Sequence, residues 1–167
     1  KVHEERPPTL PGRFWIDLKA GLGFVRSKPL LLTLAACVGG WQFCHQAATV
    51  AQILFATRVL GLSESAIGLS YVALGAGTVL ASVVCDRISK HMGPGPCLVL
   101  GIGTTSVGWL VLSVGPVGAW GVSAFALMLS LFGFGAVLIF INFIALRQAV
   151  TPEPLLGRMT STMRWLI

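Results

Sequence analysis

Between residues 66 and 146 charge interrupts the chain at one place only, the stretch SVVCDRISKHMGPG at 82–95, which carries Asp86, Arg87 and Lys90. The apolar runs on either side are of membrane length. That constrains the fold more than any motif does. A domain in water has too little surface of its own to cover such runs. In hydrocarbon every backbone N–H and C=O must be satisfied inside the structure, so helices are expected. Composition agrees: 54% of the residues are hydrophobic and 11% charged, against about a quarter charged in soluble domains. The expected fold class is an all-α polytopic helical bundle in a membrane.

Residues 1–12, with three prolines and mixed charges, predict an extended linker. Residues 13–28 predict an amphipathic helix lying on the membrane surface. Phe14, Trp15, Leu18, Leu22 and Val25 recur at helical spacing, and Arg13, Asp17, Lys19, Arg26 and Lys28 fall mostly on the rest of the wheel. Pro29 suits the first turn of a span over 30–57. Gly61 and Ser63 mark a turn, with Ser63 as N-cap of a second span over 66–85. Ala73, Gly77 and Ala81 give that span a face smooth enough for close helix contact. Residues 82–96 predict a loop ending in Gly-Pro-Gly-Pro. Further spans are expected at 97–114 and 119–146, and Thr151-Pro152-Glu153 predicts a helix start, with another span from about 159. The chain begins without methionine and stops in an apolar run, so it is expected to be a piece of a longer protein.

A net charge of +6 fits a nucleic-acid partner only if it forms a face. Here it does not. Residues 1–28 hold six Lys and Arg, the loop after the first span Arg58 alone, residues 82–96 two, the next turn none and the last segment three. Alternate loops thus hold eleven of the twelve, which predicts that those loops, and the amino end, are cytoplasmic. No nucleic acid is expected as a partner; membrane lipid is. The four cysteines form no CxxC pair, so neither a metal centre nor a disulfide framework is expected, and nothing calls for a cofactor.

Two groups of residues are candidates for function. Gln42, His45, Gln46, Thr49 and Gln52 share one side of the first span. Lipid does not satisfy amides and an imidazole, so this side must meet protein or water. Two readings are open: the wall of a pathway for a small molecule, with His45 able to carry a proton, or hydrogen bonds that join helices. Asn142 in the fourth span allows the same two. Trp41, Trp109 and Trp120 read as interface anchors or packing. The second group is Asp86, Arg87 and Lys90, directly at a membrane exit. Asp86 is expected to pair with Arg87 or with Arg158 or Arg147 of the next loop, a link able to hold one arrangement of helices closed. His45 has no acid or second histidine at ligand spacing on its helix, which speaks against an enzyme. A structural or assembly protein of the membrane is the rival to a transporter.

Ser82-x-x-x-Asp86-Arg87-x-Ser89-Lys90-His91 resembles the loop signature Gly-x-x-x-Asp-Arg-x-Gly-Arg-Arg of the major facilitator superfamily, with serine in place of both glycines. Asp17-Leu-Lys-Ala-Gly-Leu-Gly-Phe-Val25 before Lys28-Pro29, Leu60-Gly-Leu-Ser63 with Ile67-Gly68, and Leu146-Arg-Gln-Ala-Val-Thr-Pro152 with Leu156-Gly-Arg158 resemble the branch of transmembrane secretion effectors that includes the enterobactin exporter. The resemblance implies the second six-helix bundle of a twelve-helix secondary transporter, whose amino-terminal half is missing here. The spans would be helices 7 to 10 and the start of 11. It further implies alternating access, often proton-coupled export, a cavity lined by helices 7 and 10, and a gating role for the Asp86 loop.

Overall fold

The computed structural model describes residues 13–114 and 120–152, apart from the side chains of 13–18 and 20. These residues form five helices and no strand: α1 (Arg13–Ser27), α2 (Pro29–Arg58), α3 (Glu64–Met92), α4 (Pro94–Val114) and α5 (Gly121–Ala149). The all-helical class expected from the sequence is the one found. The linker at 1–12 and the span expected from 159 lie outside the described residues.

Three helices, α3, α4 and α5, are each long and apolar enough to cross a membrane. α2 meets that measure only together with Gly21–Ser27, from which it turns through 102°. Its 30 residues suffice in length; what lowers its hydropathy is the polar set Gln42, His45, Gln46 and Gln52. The four complete spans expected thus become three unaided ones and a fourth that counts as part of a bent pair.

Local chemistry explains most of the boundaries. Lys28 is extended, at φ −114° and ψ 103°, as a residue before proline prefers. Pro29 then occupies the first turn of α2, where no N–H is needed. Gly61 turns the chain at φ +66°. Ser63 accepts the Ala66 N–H at 3.3 Å and caps α3, with Glu64 in its first turn beside the positive helix end.

Residues 82–92 correct the expectation of a loop: they are helical, and α3 runs on to Met92. Charge ends a membrane span but does not end a helix. Nothing between Ser82 and Met92 breaks one, and Asp86 pairs with Lys90 one turn on, at 2.6 Å, which supports the helix. Gly93, at φ +85°, is what ends it, its N–H reaching the Ser89 carbonyl at 2.9 Å. α4 starts at once with Pro94. Thr151 donates its hydroxyl to the Arg147 carbonyl at 2.8 Å at the end of α5; the helix it is expected to cap lies outside the described residues.

The helices are held together through α5. Gly77 of α3 lies against the Ser130 backbone, and Gly133 against the Leu74 carbonyl. On the other side of α5, Gly135 faces the Gly101 carbonyl and the Thr105 side chain of α4. Gly77 meets 130 and Ser89 meets 142, so α3 runs parallel to α5; Gly101 meets 135 and Gly108 meets 128, so α4 runs antiparallel. The smooth face read at residue 77 is therefore a real contact, with Ala81 fully buried beside it. Hydrophobic side chains fill both ends: Ala56, Leu60, Leu112 and Phe125 at one, Leu34, Val38, Leu98 and Ile139 at the other.

A Cβ at residue 135 would stand 2.5 Å from the Gly101 carbonyl oxygen, whereas one at 103 meets nothing within 4 Å. Gly135→Leu is expected to destabilise the protein by about 3 kcal/mol through overpacking. Gly103→Ala is expected to be neutral or to stabilise by about 0.5 kcal/mol. Thermal unfolding in detergent separates the two.

Candidate functional site

α2 packs lightly on the bundle and leaves a cavity of about 140 Å³ against α3 and α5. Its polar walls are His45, Thr49, Gln52 and Tyr71; Met128 and Phe132 of α5 supply apolar ones. The α2 positions follow from helix geometry. Residues 45, 49 and 52 fall within a narrow arc, while 46 lies about 100° from 45.

His45 sits in a stack of rings. Phe132 lies face to face with it, centroids 4.0 Å apart and planes 18° off parallel. Trp41, one turn earlier, stacks at 5.8 Å and 13°, and Trp109 of α4 stands tilted at 6.3 Å. Trp41 is itself fixed, donating its indole N–H to Thr105 at 2.9 Å. The Thr49 hydroxyl donates to the His45 carbonyl at 2.9 Å. With that proton committed, its 3.4 Å contact with His45 Nε2 needs Nε2–H as donor. His45 Nδ1 is then a bare acceptor, buried and without a partner among the described residues. Gln52, 5% exposed, donates through Nε2 to the Tyr71 hydroxyl at 2.8 Å, tying α2 to α3. A second cavity of about 200 Å³ lies behind it, between Gln52, Phe55 and Trp109.

The other sequence candidates lie elsewhere. Gln42 is half-buried and Gln46 exposed, and neither has a hydrogen-bond partner among the described residues. Asn142 does not line the His45 cavity. It is 1% exposed, donates to the Leu138 carbonyl at 2.8 Å and accepts from the Ser89 hydroxyl at 2.8 Å. Cys85 and Cys97 pack around that pair. For Asn142 the helix-joining reading is the one the geometry supports. Asp86 and Lys90 pair with each other on the exposed end of α3, and Arg87 is exposed beside them. Arg158 lies outside the described residues.

Sequence reasoning left three members out of the site, Tyr71 and Phe132 unremarked and Trp41 read as an anchor or packing. Tyr71 is the only tyrosine in the chain, and a lone phenol in an apolar span was a signal. Trp41 precedes His45 by one helical turn, which puts the two on one face. Phe132 carried no signal, being one of nine phenylalanines.

Tyr71→Phe leaves the buried Gln52 amide unpaired and is expected to cost about 1 kcal/mol. Adding Gln52→Leu removes the orphaned amide and is expected to recover most of that loss. A double-mutant cycle of thermal unfolding measures the coupling; additive losses would mean that the bond contributes nothing.

No curated relative and no solved structure matches the chain. The profile of the Major Facilitator Superfamily matches residues 2–166, nearly its whole length. Helices of membrane length, packed through glycines around a polar-lined cavity, accord with that match, and the chain belongs to the Major Facilitator Superfamily of membrane transporters.

Proposed function

We propose that the chain is the carboxy-terminal part of a secondary transporter that exports a small molecule by alternating access in exchange for protons. We place it in the secretion-effector branch that includes the enterobactin exporter, in the cell membrane with its amino end cytoplasmic. The observation that carries the reading is the exposed side of α2. Gln46, exposed, and Gln42, half-buried, lie there without hydrogen-bond partners among the described residues, on the same helix that closes the His45 cavity. Lipid leaves amides unsatisfied. A water-filled pathway, shared with the missing amino-terminal bundle, satisfies them. α2 then stands between two compartments, with Gln42 and Gln46 toward the pathway and His45, Thr49 and Gln52 behind.

In this reading Gln42 and Gln46 meet the substrate in the pathway, and the His45 cavity behind them opens to it as α2 moves, offering the flat apolar faces of its rings with Thr49 and Gln52. Nδ1 of His45 is the atom that takes and releases a proton. At the end of α3, the exposed Asp86 exchanges Lys90 for Arg158 when that side of the transporter closes, with Arg87 beside them. An exposed ion pair is cheap to exchange.

Cells with the whole transporter are expected to accumulate less of an exported compound than cells without it, and a proton uncoupler is expected to erase the difference. Equal accumulation in both would favour a membrane protein that moves nothing. His45→Ala is expected to weaken the pH dependence of export; an unchanged profile returns His45 to a packing role. Reversing the charges of Asp86 and Arg158 together is expected to restore the transport lost in either single reversal, and absence of rescue would sink the pairing.

A further inference from the structure

At the elbow between α1 and α2 we infer a binding site for one anionic phospholipid, its phosphate on Arg26 and Lys28 and an acyl chain in the groove beside them. The groove has a volume of about 520 Å³. Leu22, Val25 and Arg26 of α1 line one side, and Leu32, Ala35 and Ala36 of α2 the other. Apart from Arg26 the lining is aliphatic.

The elbow is pinned. Val25 and Leu31 are fully buried, packed with Phe24, Ala35 and Val150 from the end of α5. The chain turns through 102° here, so a surface-lying α1 and a membrane-crossing α2 meet at the depth of the headgroups. Small residues on α2 keep the groove open: Ala35 and Ala36 occupy positions where a larger aliphatic side chain would fill it. The Lys28 N–H is taken by the Val25 carbonyl. The charged side chains supply the recognition.

No carboxylate among the described residues neutralises those cations. Arg26 and Lys28 are exposed and make no ion pair among the described residues. The described carboxylates are Asp86, which Lys90 holds, and Glu64, at the opposite end of α3. Arg26, which lines the trough, and Lys28, two residues on, match a phosphate joined to a hydrocarbon chain. Free phosphate would use the cations and leave the trough unfilled. A zwitterionic lipid would fill the trough and bring an ammonium against the cations.

Native mass spectrometry of the whole transporter tests this, after delipidation and incubation in micelles with equal phosphatidylglycerol and phosphatidylcholine. The wild type is expected to retain phosphatidylglycerol in preference. Each basic residue near anionic lipid is worth about five-fold in association, so Arg26→Gln with Lys28→Gln is expected to cut the preference by about 25-fold. Ala36→Trp fills the trough, leaves the cations in place, and is expected to lower phosphatidylglycerol retention as well. Soluble glycerol phosphate in excess is expected not to displace the lipid; displacement would assign the site to free phosphate. All three residues are exposed, and melting curves confirm that the variants fold. Equal retention of both lipids by the wild type, or an unchanged preference in the double variant, overturns the proposal. So does full retention in Ala36→Trp, because diffuse attraction to charge would then suffice.

Discussion

The bundle depends on the approach of bare backbone to bare backbone along α5. In a bilayer lipid is as apolar as any leucine, so hydrophobic burial does not drive helices together. What remains is close packing and hydrogen bonding. Gly77 against Ser130 on one side, and Gly101 with Gly135 on the other, bring α3 and α4 so near α5 that no Cβ fits between. Large apolar side chains pack in two clusters toward the ends. The glycines thus set the distance and the aliphatics fill what that distance leaves.

The same economy explains where the cavity lies. α3, α4 and α5 are drawn tight, whereas on α2 a Cβ at Gly40 would meet nothing within 4 Å. α2 is held instead by rings and polar contacts, Trp41 to Thr105 and Gln52 to Tyr71. Contacts made by long side chains keep helices farther apart than contacts made by glycine. The space on the α2 side is therefore a result of how α2 is attached, and its walls are polar because attachment there is polar. A helix bound in this way is also easier to shift than one locked through its backbone, which suits the pathway role proposed for α2.

Much of this was legible in the residues. Pro29, Ser63 and Gly77 each act through a local rule, and each does in the structure what its rule implies. Two features were not legible, for different reasons. Residues 82–92 read as a loop because the change from apolar to charged marks where a membrane ends, and a helix is free to continue into water until something like Gly93 stops it. The polar side of α2 read as one surface because five residues at helical spacing span a broad arc, and periodicity alone does not say where a neighbour cuts it. The neighbours are Phe132 and Tyr71, whose contacts with α2 arise only when separate helices pack. His45, Thr49 and Gln52 fall inside that cut and Gln46 outside it.

Asn142 shows how the signature stretch and the bundle are joined. The signature's charged members, Asp86, Arg87 and Lys90, are exposed and make no hydrogen bond or ion pair with α5 among the described residues. Ser89 stands where the superfamily pattern has glycine, and it points the other way. Glycine at this position would bring no group to Asn142, whose amide oxygen would then be buried without its 2.8 Å donor. Serine supplies the hydroxyl, and the two thiols of Cys85 and Cys97 close around it without competing strongly as acceptors. The substitution that looks like erosion of the motif is thus matched by a residue 53 positions away. It also separates two tasks within a few residues: an uncharged, buried bond anchors the end of α3 to α5, while the charges beside it stay in the open, able to change partners without loosening that anchor.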